Sequence, residues 1–138
     1  MEEAHEVQFG DDTDIPWNEQ WRNRCEERNQ QIKAQLLEGM TVAHRPSGWS
    51  PYPRAFRDDL CYYKPVSFDE QVEVDDIVFC QVQPSERVYA HLVKDKEWHD
   101  ADRRWKYWIS NNLAGRIEGH CYIQHIYGRL CNQLRMPK

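Results

Sequence analysis

The chain has no window of about 18 apolar residues, so no segment of it reads as a membrane-spanning helix. Its opening stretch, MEEAHEVQFGDDTD, is acidic and lacks an apolar run, so it is expected to be neither a secretory signal nor an Arg-rich transit peptide. Basic charge is in the minority: 18 Lys and Arg against 23 Asp and Glu give a net charge of −5. That balance argues against a nucleic-acid footprint over the whole domain. There is no CxxC pair and no N-glycosylation sequon. The five cysteines, Cys25, Cys61, Cys80, Cys121 and Cys131, are odd in number and widely spaced. Free thiols in a reducing intracellular compartment, cytoplasmic or nuclear, are the expectation. Internal repeats, heptad arrays and low-complexity tracts are also missing, which removes solenoids and coiled coils from consideration.

What is present suits one ordinary domain. The length of 138 residues fits a single domain with an extra arm. A chain of this size buries roughly 68–70% of its unfolded surface. Six Trp and seven Tyr argue against disorder, because disordered chains are poor in aromatics. Residues 1–13 read as a solvated acidic arm. Residues 14–39 read as a helix, with Asp14 and Pro16 at its start and Gly39 as its stop. Trp17, Trp21, Cys25, Ile32 and Leu36 recur at spacings of four or seven and share one face. The middle of that face is crowded by charge, so the helix needs a docking surface, either its own domain or a second copy.

After Gly39 the texture changes to short β-type runs between turn signals. Candidate strands are Thr41–Arg45, Leu60–Lys64, Asp76–Gln83, Arg87–Lys94, Trp105–Ser110, and Cys121–Arg129 in one or two pieces. Pro84-Ser85-Glu86 reads as a hairpin turn between two of them. The fold class expected is therefore mainly β with one N-terminal helix, residues 40–138 forming the β domain.

One ordered set of segments carries more. Gly48-Trp49-Ser50-Pro51-Tyr52-Pro53 is followed by Asp58-Asp59-Leu60, then by Val74-Asp75-Asp76-Ile77-Val78-Phe79. Next come Val88-Tyr89-Ala90-His91-Leu92-Val93, Ser110-Asn111-Asn112 and Ile126-Tyr127-Gly128-Arg129. Taken in order, these segments resemble the LexA-repressor and signal-peptidase superfamily of serine peptidases. The resemblance spans about residues 41–130 and rests on order and spacing rather than on any single motif. It implies a twisted, partly closed β fold. It places Ser50 on the nucleophile and His91, 41 residues later, on the general base. Trp49, Pro51, Tyr52 and Pro53 then fall beside the substrate, and Asn111 falls where the family carries the acidic residue that supports a His base. Asp59 and Asp76 match the aspartates of the two turns; Asp58 and Asp75 replace their glycines. Gly128 and Arg129 match the closing strand. The partner implied is a peptide or protein in extended form, and no cofactor is implied.

The chemistry sets its own demands. A Ser hydroxyl is a poor nucleophile until a base takes its proton, and a neutral His does this when its other nitrogen is held by an acceptor. Asn111 can accept a hydrogen bond but brings no charge to stabilise imidazolium. Asp95, Asp100 and Asp102 are alternative supports, and Lys94 and Lys96 alternative bases. Pro51 has no N–H, so the residue after Ser50 cannot donate to an oxyanion. These departures leave a second function open: a peptidase-like domain without catalysis, used as a binding or assembly module. Ser50 in a Pro-rich loop is also good turn chemistry. A metal site is the weaker chemistry. His120 and His125 have half-site spacing with Cys121 beside them, but no Cys pair completes it. No metal is expected. The basic and aromatic residues of 94–107 are interrupted by Asp95, Glu97, Asp100 and Asp102, so they read as a solvated hairpin and not as a single-strand platform.

Overall fold

The structure, a computed structural model, describes residues 5–6, 19–44, 60–110 and 117–134. Its elements in chain order are β1 (His5–Glu6), α1 (Glu19–Leu37), β2 (Val42–His44), β3 (Leu60–Pro65), β4 (Ile77–Val82), β5 (Arg87–His99), β6 (Arg104–Ser110), β7 (Ile117–Cys121) and β8 (Ile126–Leu134). The protein is mainly β with one helix, as the sequence leads one to expect. The strands form one sheet in the order β1-β2-β3-β8-β4-β5-β6-β7. Every pairing is antiparallel except that of the short β1 with β2. The sheet is not closed into a barrel. No helix among the described residues is long and apolar enough to cross a membrane.

Helix α1 stops where Gly39 says it should. Gly39 takes a φ of 86°, the left-handed conformation that costs glycine least. The Gly39 N–H then bonds back to the Leu36 carbonyl and the Met40 N–H to that of Gln35, the pairing of a Schellman cap. The helix docks on its own sheet through Ile32 and Leu36, which are buried against Val42, Tyr63, Phe79, Leu92 and Tyr127. Each contributes roughly 1.5–3 kcal/mol by leaving water. A Cβ at Gly128 would stand 2.9 Å from both Leu36 methyls, so the glycine of β8 is what lets Leu36 seat. Trp17 and the side chains of Trp21 and Cys25, expected on the same face, lie outside what the structure describes.

β4 and residues 88–93 of β5 are largely buried on both faces, which explains why their sequences read as nearly unbroken apolar runs. Ile77, Phe79, Val88, Ala90 and Leu92 face the helix. Val78, Cys80, Val82 and Val93 face a second core, completed by Tyr107, Ile109, Cys121, Ile126, Val66 and Val72. Among the described residues no α-helix lies over this second core. The sheet curls so that the end of β4 meets β7: the N–H of Gln83 bonds to the carbonyl of His120 at 2.8 Å and the reverse bond is 3.0 Å. A Cβ at Gly119 would overlap the Gln83 carbonyl oxygen, so only glycine allows this approach.

Several strands differ from the sequence reading: β1 lies within the stretch read as an acidic arm, and β8 runs past Arg129 to Leu134. β5 runs on to His99, well past Lys94, as a twisted extension paired with β6. β7 begins at Ile117, where Glu118, Gly119 and His120 give no β-type pattern; Tyr122 and a 3-10 turn at Ile123–His125 then separate it from β8. The hairpin between β4 and β5 is as expected, closed by the Glu86 N–H on the Val82 carbonyl at 2.7 Å. Asp75, at the turn where the resembled family has glycine, takes φ 75°, a conformation Asp tolerates better than most residues. Its neighbour Asp76 accepts the Glu73 N–H at 2.8 Å and lies 3.9 Å from the Arg129 guanidinium.

Candidate functional site

The alternation of β5 places Tyr89, His91 and Val93 on the face of the curled core. His91 is 8% exposed, opposite Val78 of β4. Its ring lies against that of Tyr89, centroids 3.8 Å apart and tilted by 51°. Its Nε2 is 3.1 Å from Oε2 of Glu118, on β7. The Tyr89 hydroxyl donates to the same oxygen at 3.2 Å. His91 Nδ1 is buried and has no hydrogen-bond partner among the described residues.

Glu118 reaches this face because of a β-bulge. Ile109 pairs with Gly119 and Ser110 with Ile117, which leaves Glu118 as the extra residue of β7. Strict alternation would have set it beside the outward His120; the bulge turns it towards Tyr89 and His91. The hydrogen bond from His91 is the first cause that holds the Glu118 carboxyl below the usual carboxylate range, with the Tyr89 hydroxyl and the nearby Arg87 acting the same way and burial opposing. Burial first, and then the Glu118 charge, push the Tyr89 phenol well above its ordinary value, so it stays protonated and donates.

The arrangement is a carboxylate-held imidazole whose other nitrogen is buried and unpartnered among the described residues. The carboxylate beside His91 among the described residues is that of Glu118. The alternative supports are engaged elsewhere: Asp95 accepts the Lys96 N–H at 2.8 Å, Asp100 the Trp98 indole N–H at 3.4 Å, and Asp102 lies 3.8 Å from Arg104. None of the three is paired with His91. Lys96, an alternative base, lies 3.3 Å from Glu73 and over the Trp105 ring. Ser50, Trp49, Pro51, Tyr52, Pro53 and Asn111 lie outside the described residues, so His91 is the one expected site residue that the structure places.

Other candidate clusters resolve into structure. Cys61, Cys80, Cys121 and Cys131 are free thiols. Cys80 and Cys121 touch inside the curled core, and their mutual hydrogen bond, followed by burial, pushes the Cys80 thiol up, away from the thiolate form. His120 points the opposite way from Cys121, between the Trp108 and Tyr122 rings at 5.9 and 5.8 Å. No group of three or more His, Cys, Asp or Glu among the described residues is placed to hold a metal. On the 94–107 hairpin, Lys106 and Arg104 sit on the Trp108 and Tyr122 rings while Glu97 takes the Trp108 indole N–H at 3.3 Å, so its charges and rings satisfy one another.

Compared with family models, with curated proteins and with solved structures, the chain matches none.

Proposed function

We propose that this chain is a peptidase-like domain of the LexA and signal-peptidase kind, in which Ser50 is the nucleophile and His91, backed by Glu118, is its base. The observation that carries the reading is His91 itself: a buried imidazole with a carboxylate on one nitrogen and no hydrogen-bond partner on the other among the described residues. In the step proposed, the imidazole takes the Ser50 hydroxyl proton as Oγ bonds to the peptide carbonyl carbon. The imidazolium then gives that proton to the departing amine, and water hydrolyses the acyl ester by the same route. Glu118 supplies the negative charge that steadies the imidazolium, the part Asn111 lacks. The substrate belongs to the same reading: a peptide bound in extended form along a strand edge.

A second reading has its own support. Pro51 offers no N–H to an oxyanion, and a His–Glu pair between β5 and β7 also serves to hold a curled sheet. The domain is then a binding or assembly module for an extended segment or a second copy. A serine-reactive fluorophosphonate probe separates the two. Covalent labelling of the wild type that is abolished by Ser50→Ala supports the enzyme. A wild type that stays unlabelled while fully folded supports the binding module.

A further inference from the structure

We infer that Tyr89 is a positioning residue which, together with Glu118, holds His91 as its Nε2–H tautomer and leaves Nδ1 as the basic nitrogen. The catalytic meaning of this rests on the reading of His91 as a base; the protonation pattern itself is a property of the fold. A carboxylate oxygen only accepts hydrogen bonds, so the 3.1 Å approach of Oε2 to Nε2 is favourable when Nε2 carries the proton. A neutral imidazole has one N–H, and Nδ1 is then a lone pair. The surroundings of Nδ1 agree. It is buried with no acceptor in reach among the described residues, a place where an N–H would be stranded.

Tyr89 acts on both partners at once. Its ring lies on one face of the imidazole at 3.8 Å, two residues away on the same strand face, and restricts rotation of the His91 ring. Its hydroxyl, 3.2 Å from Oε2, fixes the oxygen that His91 meets. The three side chains come from two strands that are not neighbours in the sheet, β5 and β7, and only the bulge at Glu118 brings the carboxylate round. The familiar serine-hydrolase arrangement is the reverse, with the acid on Nδ1 and the hydroxyl on Nε2. Nδ1 is the ring nitrogen nearer the strand, so a hydroxyl that gives up its proton here must approach at the level of the β5 backbone and not at the tip of the ring.

The test is a long-range proton–nitrogen correlation spectrum of the ¹⁵N-labelled full chain. It is recorded about two units above the ordinary histidine pKa of ~6.5. His91 is assigned by the signals lost in His91→Gln. The expected wild type shows a pyrrole-type Nε2 and a pyridine-type Nδ1. Glu118→Gln and Tyr89→Leu should both move the two signals towards the averaged values of a mobile ring, with Tyr89→Phe between them and wild type. A pyrrole-type Nδ1, or averaged shifts in the wild type, overturns the inference. So does a folded Tyr89→Leu with wild-type shifts. Should Tyr89→Leu fail to fold, unchanged shifts in Tyr89→Phe overturn the role of Tyr89. Probe labelling at Ser50 is read separately: its absence removes the peptidase reading and leaves the nitrogen shifts to decide this one.

Discussion

On one side of the sheet α1 lays Ile32 and Leu36 across β3, β8, β4 and β5; on the other the sheet covers itself, β7 folding back to β4 over Val78, Cys80 and Val93. The helix-covered side is held by large apolar contacts and one buried, neutral His44 beside Arg28. The self-covered side has an apolar core of its own and adds glycine-enabled backbone contact and polar groups: His91 with Glu118, Tyr89 with Glu118, and Tyr107 with Asp69 at 2.7 Å. A helix laid on a sheet provides area. A sheet bent on itself brings non-neighbouring strands within side-chain reach, which is what an imidazole and a carboxylate need.

Acid should break the helix-covered side first and hardest. Burial, and then the Arg28 charge, lower the His44 pKa from 6.5 to about 3. Between those values the unfolded chain carries a proton that the folded chain refuses, so stability is full above 6.5 and drains away as the pH falls towards 3. The loss amounts to about 4–5 kcal/mol. Denaturant midpoints measured from pH 7 to 4 should fall steeply in the wild type and much less in His44→Gln; equal slopes would remove His44 from the account. Glu118 works in the opposite sense to a weak point: held below the usual carboxylate range, it stays charged as the acid begins to act.

Next in size is Leu36→Ala, which takes a 2%-exposed side chain from over Gly128 and should cost about 3 kcal/mol. Amide exchange should quicken along α1 while residues 87–93 and 117–121 keep their protection. If β7 loosens equally, the two sides are one cooperative unit and the contrast fails. The complementary cut is Gly119→Ala. The added methyl meets the Gln83 carbonyl and Val82, forcing β7 off β4 at about 2 kcal/mol. Exchange should then quicken at Gln83 and His120, and the His91 ring-nitrogen pattern should be lost, with α1 unaffected. The smallest stability effect is expected from Glu118→Gln, under about 1 kcal/mol for a part-exposed pair. Yet its effect on Ser50 labelling should be the largest of the set, about 10²-fold or more. A variant with both stability and labelling unchanged would show that Glu118 is only a surface neighbour.

The elements legible in the sequence are those whose apolar pattern alone decides them. β4 and residues 88–93 of β5 are doubly buried runs, the 84–86 turn carries Pro and Ser, and the helix stop is a glycine in the conformation only glycine takes cheaply. His91 was legible as a polar residue inside such a run. Glu118 was not, because its position depends on a one-residue insertion in β7 that no local pattern announces, and because its stretch, Ile-Glu-Gly-His, lacks a strand signature. Gly119 was silent for a related reason: its requirement comes from Gln83, which lies 36 residues earlier. The curl is thus a long-range event, visible in sequence only through the residues it would exclude.

The order of strands also bears on how the fold is reached in time. β8 follows every other strand along the chain yet lies near the middle of the sheet, between β3 and β4. β4 to β7 form a meander of successive hairpins, whose contacts are close in sequence and close early. Among the described strands, β2 and β3 pair only with each other and the short β1 until β8 arrives to join them to that meander. During synthesis the curled half, with His91 and Glu118 in it, has its hairpins in hand before β8 emerges, while the paired β2 and β3, with Val42, Cys61 and Tyr63, wait for the strand that joins them to it. Truncation just before Ile126 should therefore leave a partly ordered meander and a helix with nowhere complete to dock.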